Sequence, residues 1–233
     1  INGREYHINS YEEQALQTPG HIRRKVLRYV DIAGKSVQEL LEAEKLKNNY
    51  HASNFQSVLL RNNGNGFSVE ALPSEAPAGR VYGLAPCDAN QGGFTDILCI
   101  GNNYNTRVEF GYDDALNGLL LLNDGTGHFR AVNGASCGFY VPGDGKSLAA
   151  IQVKGEIRWL AAQNNAALKS FRLKNTQKAY AALPGECAAQ VVLNNGKTMK
   201  TECYWGSGYL SSGTRFIAAG KNIKSITFLT AKG

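Results

Sequence analysis

One recurrence constrains this chain more than any other feature. Leu59-Leu-Arg-Asn-Asn-Gly-Asn-Gly-Phe67 returns about sixty residues later as Leu121-Leu-Asn-Asp-Gly-Thr-Gly-His-Phe129. Each copy is an apolar run, a turn rich in Asn, Asp and Gly, and a second run. That is the signature of a β-hairpin, because glycine reaches the backbone conformations that tight reversals need. The 26 glycines among 233 residues, many in such turns, extend the same expectation over most of the chain.

Alternating apolar patterns place further strands at 80–84 and 96–100, at 148–154 and 156–160, at 187–193 and 198–205, and at 215–219 and 223–230. Residues 174–186 read as a linker ending near Pro184. Helix signals are confined to 10–47. There Ser10-Tyr-Glu-Glu13 and Ser36-Val-Gln-Glu39 both match the capping box, in which serine and glutamate satisfy orphan amides at a helix start. Ile22, Val26, Leu27 and Val30 recur at helical spacing between them. The expected division is therefore a helical segment over 1–50, β-repeats over 51–183 and a small β-domain over 184–233. The fold class is mainly β.

Charge narrows the partners. The chain carries +6 overall, yet residues 51–139 are net acidic and 140–233 strongly basic. The basic residues stand singly on alternating strands rather than in clusters interleaved with aromatics, so nucleic acid is not the expected partner. No apolar run approaches the length that a membrane-crossing helix needs. Five cysteines, at 87, 99, 137, 187 and 203, form no Cys-x-x-Cys. Cys187 and Cys203 flank the turn Asn194-Asn-Gly-Lys197 and fall near each other across a hairpin, either as a bridge or as free thiols. Cys87 and Cys99 flank a loop with the same two readings.

That loop, Asp88-Ala-Asn-Gln-Gly-Gly-Phe-Thr-Asp96, offers two carboxylates and an amide. It either holds a hard cation or ties its own turn by accepting backbone N–H groups. The polar stretch Tyr104–Asn117 is the best recognition loop. Tyr104, Tyr112, Trp159 and Trp205 are the candidate ligand contacts, since aromatic rings stack on apolar faces. Gly-Lys-Ser at 34–36 and 145–147 lacks the upstream glycine of a phosphate loop. Gly206-Ser-Gly208 is too short for a nucleophile elbow. The four histidines show no metal spacing, and no acid/base constellation stands out, so no catalytic residue is assigned.

The two hairpins, with the loop 88–98 between them, resemble FG-GAP/VCBS-type repeats, the blades of integrin-like β-propellers. The tail, Gly206-Ser-Gly-Tyr-Leu-Ser-Ser212 with Arg215-Phe216 and Ile223-Lys-Ser-Ile-Thr-Phe228, resembles the ASPIC/UnbV domain that often follows such propellers. The family's closing Trp-Pro-x-Gly is replaced here by Thr230-Ala-Lys-Gly233. The resemblance implies partial propeller-like antiparallel blades, export to the bacterial envelope or beyond, and further domains upstream. It also implies calcium at loop positions 1, 3, 5 and 9, which here are Asp88, Asn90, Gly92 and Asp96. Position five has lost its side chain, so the donor set is degenerate and calcium is the one cofactor in view. The expected function is a non-enzymatic module binding glycan or protein. The alternatives are an accessory domain of a carbohydrate-active enzyme, or an assembly module joined through sheet edges.

Overall fold

The protein is described by a computed structural model, which describes residues 28–31, 35–40, 56–76, 79–106, 108, 111–174, 178–206 and 215–231. It divides into two compact units, Ile1–Phe55 and Gln56–Gly233. Among the described residues no helix is long and apolar enough to cross a membrane.

In the first unit, Tyr29–Asp31 forms a 3-10 turn and Val37–Leu40 a single helical turn, α1. The second capping box is realised. Glu39 accepts from both the backbone amide of Ser36 at 2.7 Å and its hydroxyl at 2.8 Å. The helix expected at Ser10 and most of the amphipathic stretch from Ile22 lie outside the described residues.

The second unit is mainly β and is built on a curled half-barrel sheet. The repeated hairpins appear as β1 (Val58–Asn62) with β2 (Phe67–Ala71), and β5 (Leu119–Asn123) with β6 (Phe129–Asn133). Their turns match in chemistry. Asn62 accepts from the Gly64 amide at 2.8 Å, and Asn123 from the Gly125 amide at 2.9 Å. Gly64 and Gly125 both sit at left-handed φ, +85° and +88°, where a Cβ would be strained. The repeat read from the sequence is thus a repeat of backbone geometry.

The strand β3 (Val81–Cys87), β4 (Asp96–Gly101), β5 and β6 form a four-stranded antiparallel meander. Its two faces feed different cores. Leu98, Ile100, Leu120 and Cys87 pack on one side, whereas Cys99, Leu119 and Leu121 pack on the other with Leu116 and Ala76. Cys87 and Cys99 therefore lie on opposite faces and are not a bridging pair. Burial pushes both thiols up to about 12, which leaves them protonated and inert at neutral pH.

A second sheet runs β13-β10-β8-β7, from β7 (Asp144–Val153), β8 (Glu156–Asn164), β10 (Lys178–Ala181) and β13 (Phe216–Ala219), with β9 (Lys169–Phe171) also on β8. β10 falls inside the expected linker, and its pairing with β13 carries hydrogen bonds across the boundary drawn at 184. A third sheet is β12-β11-β14, from β11 (Glu186–Leu193), β12 (Thr198–Glu202) and β14 (Ile223–Thr230). One helical turn, α2 (Gly134–Cys137), closes β6.

β7 crosses β3 and β4 so closely that side chains give way to glycine. A Cβ on Gly83 would meet the Leu148 Cβ and backbone nitrogen at 2.8 Å, and one on Gly145 would meet the Gly101 carbonyl oxygen at 2.9 Å. This tight crossing brings residues 101–104 of β4's exit beside 142–146 at β7's start. The candidate site is built there.

Candidate functional site

Asn102, directly after β4, is fully buried and adopts a left-handed φ of +80°. Asparagine tolerates that conformation because its short amide bonds locally. Its side-chain oxygen accepts the Leu116 amide at 2.8 Å, and its nitrogen donates to Asn117 Oδ1 at 3.3 Å and the Gly143 carbonyl at 3.1 Å. One side chain thereby joins β4's exit, the approach to β5 and the approach to β7.

The next residue pairs back. Asn103 and Asp113 exchange backbone hydrogen bonds at 2.7 and 3.0 Å, which sets Tyr104 beside Tyr112. The two rings stack with centroids 4.6 Å apart and planes 23° from parallel. Tyr104 is fixed from below by its hydroxyl, which donates to the Pro142 carbonyl at 2.9 Å. Tyr112 is 68% exposed. The result is a tyrosine platform with one ring anchored and one presented to solvent.

An ion pair between a buried carboxylate and a partly exposed lysine borders it. Asp144, 2% exposed, lies 2.5 Å from the Lys146 ammonium and accepts from Asn164 at 3.2 Å. The Lys146 ammonium continues to the Asn102 carbonyl at 3.2 Å and the Asn103 amide oxygen at 3.5 Å, and lies 4.1 Å from the Tyr82 ring centroid. Burial alone would raise the Asp144 pKa, but hydrogen bonds from Lys146 and Asn164 and the lysine charge outweigh it and hold the carboxyl below its ordinary value. A carboxyl depressed in the fold contributes stability above its unfolded pKa of about 3.9, and that contribution is lost as pH falls through the folded value. Acid titration of unfolding should therefore show a limb that Asp144→Asn flattens. An unchanged acid limb in that variant would mean the pair is not coupled to folding.

The other candidate residues separate. Trp159 is 3% exposed and packs in the core with Ile157 and Ala161. Trp205 is 66% exposed and lies over Arg215, whose guanidinium carbon is 4.1 Å from the ring centroid. Arg215 is buried, and donates to the carbonyls of Cys203 and Leu183 at 3.1 Å each and to that of Glu186. Trp205 thus lies over a cation that three carbonyls hold in place. Most of the tail motif 206–212 lies outside the described residues.

Asp88, Asn90 and Asp96 do share one loop, and its oxygens are directed at backbone amides. Asp96, fully buried, accepts from Ala89 and from Asn123, each at 2.8 Å. Asn90 accepts from Gly92 at 2.7 Å, and Asp88 from Gly93 at 3.1 Å. Burial raises the Asp88 pKa, more than its amide donors lower it. Both Asp96 oxygens already serve amides on two different elements, and no group of three His, Cys, Asp or Glu is placed to hold a metal among the described residues.

Sequence reasoning named the two tyrosines and missed Asn102, Asn103, Asp144, Lys146 and Tyr82. Lys146 stood in view as the middle of the declined Gly145-Lys-Ser147 match. Its partner Asp144 is two residues away, but the groups that bury the pair come from β4's exit. No protein-family model, curated protein or solved structure matches this chain.

Proposed function

We propose that this chain is a non-enzymatic binding module whose ligand is a glycan, taken on the Tyr104–Tyr112 platform. The observation that carries this reading is the stacked, partly exposed Tyr104–Tyr112 pair with the Asn103 side chain next to it and the Lys146 ammonium over the Tyr82 ring. A pyranose ring presents an apolar C–H face for stacking and hydroxyls at its rim for amide and ammonium groups, so the set matches saccharide chemistry. The lysine is neutralised by Asp144, which favours neutral sugars over acidic ones. The hairpin repeat and the four-stranded meander are consistent with FG-GAP/VCBS-type blades followed by an ASPIC/UnbV-like tail, in a protein exported to the envelope or cell exterior.

The test is a glycan array probed with the purified chain, followed by calorimetric titration of any hit. Tyr112→Ala should weaken binding about fivefold, in line with about 1 kcal/mol for a stacked aromatic contact. Its melting temperature should stay near that of the parent because the ring is exposed. Binding that survives Tyr112→Ala unchanged would move the site elsewhere.

A further inference from the structure

Cys187 and Cys203 are placed differently from the three other cysteines. β11 and β12 pair in antiparallel register up to Ala188 opposite Glu202. The next pair outward is Cys187 and Cys203, and the Cys203 amide donates to the Cys187 carbonyl at 2.8 Å. Directly opposed, hydrogen-bonded residues of antiparallel strands have Cα atoms about 5.5 Å apart, inside the range of about 4.4–6.8 Å that a disulfide spans. Cross-strand partners project their side chains to the same face. Both thiols are free in the structure; Cys187 is exposed and Cys203 is buried at the edge of the core with Val191 and Ile217.

We propose that Cys187 and Cys203 form a dithiol–disulfide pair, oxidised by a small-molecule disulfide such as oxidised glutathione. The exposed Cys187, as thiolate, attacks one sulfur of glutathione disulfide and expels a glutathione thiolate. Cys203, as thiolate, then attacks the Cys187 sulfur of the mixed disulfide and expels the second. Two thiols become one disulfide, glutathione disulfide becomes two glutathiones, and each protein proton ends on a glutathione sulfur.

The bond has a mechanical consequence. Among the described residues β12 has one partner strand, β11, so its open end is held to the sheet by a single ladder. The Cys203 carbonyl receives Arg215, and Arg215 carries Trp205. Bridging fixes that end of β12 and, through it, the Trp205 ring. Because Trp159 is buried in a separate cluster, a change in tryptophan emission quenching reports on Trp205.

The experiment incubates the whole chain with a glutathione redox buffer, blocks remaining thiols, and maps peptides without reduction. The expected result is loss of two of the five free thiols, counted after denaturation, a single cross-linked peptide joining Cys187 to Cys203, and reduced access of iodide to Trp205. Cys203→Ser should instead accumulate the mixed disulfide on Cys187, whereas Cys137→Ser should bridge as the parent does. Bridging that involves Cys137, or a parent chain that stops at the mixed disulfide, overturns the proposal.

Discussion

Asp96→Ala is expected to lower the unfolding free energy of the second unit by about 3 kcal/mol, with or without calcium in the buffer. Its carboxylate is wholly buried and takes the Ala89 amide on one oxygen and the Asn123 amide on the other. Alanine leaves both amides without their acceptor, at about 1–3 kcal/mol for each such orphan. In a body of this size that is a fall in melting temperature of about 10 °C. The structural reason for the size of the effect is that Asp96 joins three segments. It starts β4, closes the 88–95 loop and anchors the end of β5. The loop is itself wedged, with Phe94 against Gly125 in the β5–β6 turn and Gly93 against the Asn222 side chain in the β13–β14 turn. Differential scanning calorimetry with calcium and with chelator separates the two readings of this loop. A parent protein strongly stabilised by calcium, with that gain abolished in Asp96→Ala, would make it a metal site.

The hairpins were legible because their determinants are local. A strand alternates with period two, and an Asn-x-Gly turn closes its own hydrogen bonds, as Asn62 does with Gly64 and Asn123 with Gly125. β10 was read as linker because four residues, Lys-Ala-Tyr-Ala, carry too little alternation to stand out, although Ala179 is buried. Its pairing with β13 is a long-range choice that no local pattern encodes. The tryptophans show the same division. Trp159 lies on an alternating face, Ile157-Trp159-Ala161, that marks it as core, whereas Trp205 follows the end of a strand and owes its exposure to Arg215 beneath it. The tyrosine platform was half legible. Two aromatics in one polar loop suggested contact, but the Asp144–Lys146 pair beside them arrives only when β7 crosses β4.

Gly101→Ala tests the packing of the β4 exit against the approach to β3, and a loss of about 3 kcal/mol is expected. Gly101 ends β4 with its α-carbon against the Arg80 carbonyl, so the added methyl overlaps a backbone oxygen and meets a Leu116 side-chain carbon at 2.7 Å. A clash with backbone cannot be relieved by turning a side chain, and overpacked sites of this kind cost about 1–3 kcal/mol or more. Relief requires β3 to move from β4, which breaks the hydrogen bond from the Asn102 amide to the Arg80 carbonyl at 3.2 Å. Asn102 is the residue that ties 101–104 to Asn117 and Gly143, so the strain passes directly into the platform. Urea unfolding of Gly101→Ala should show the stability loss, and glycan titration below its melting temperature should show weakened binding that Tyr112→Ala does not deepen additively, because both changes disable the same site. Additive losses in the double variant would mean that the platform does not depend on the β4 exit.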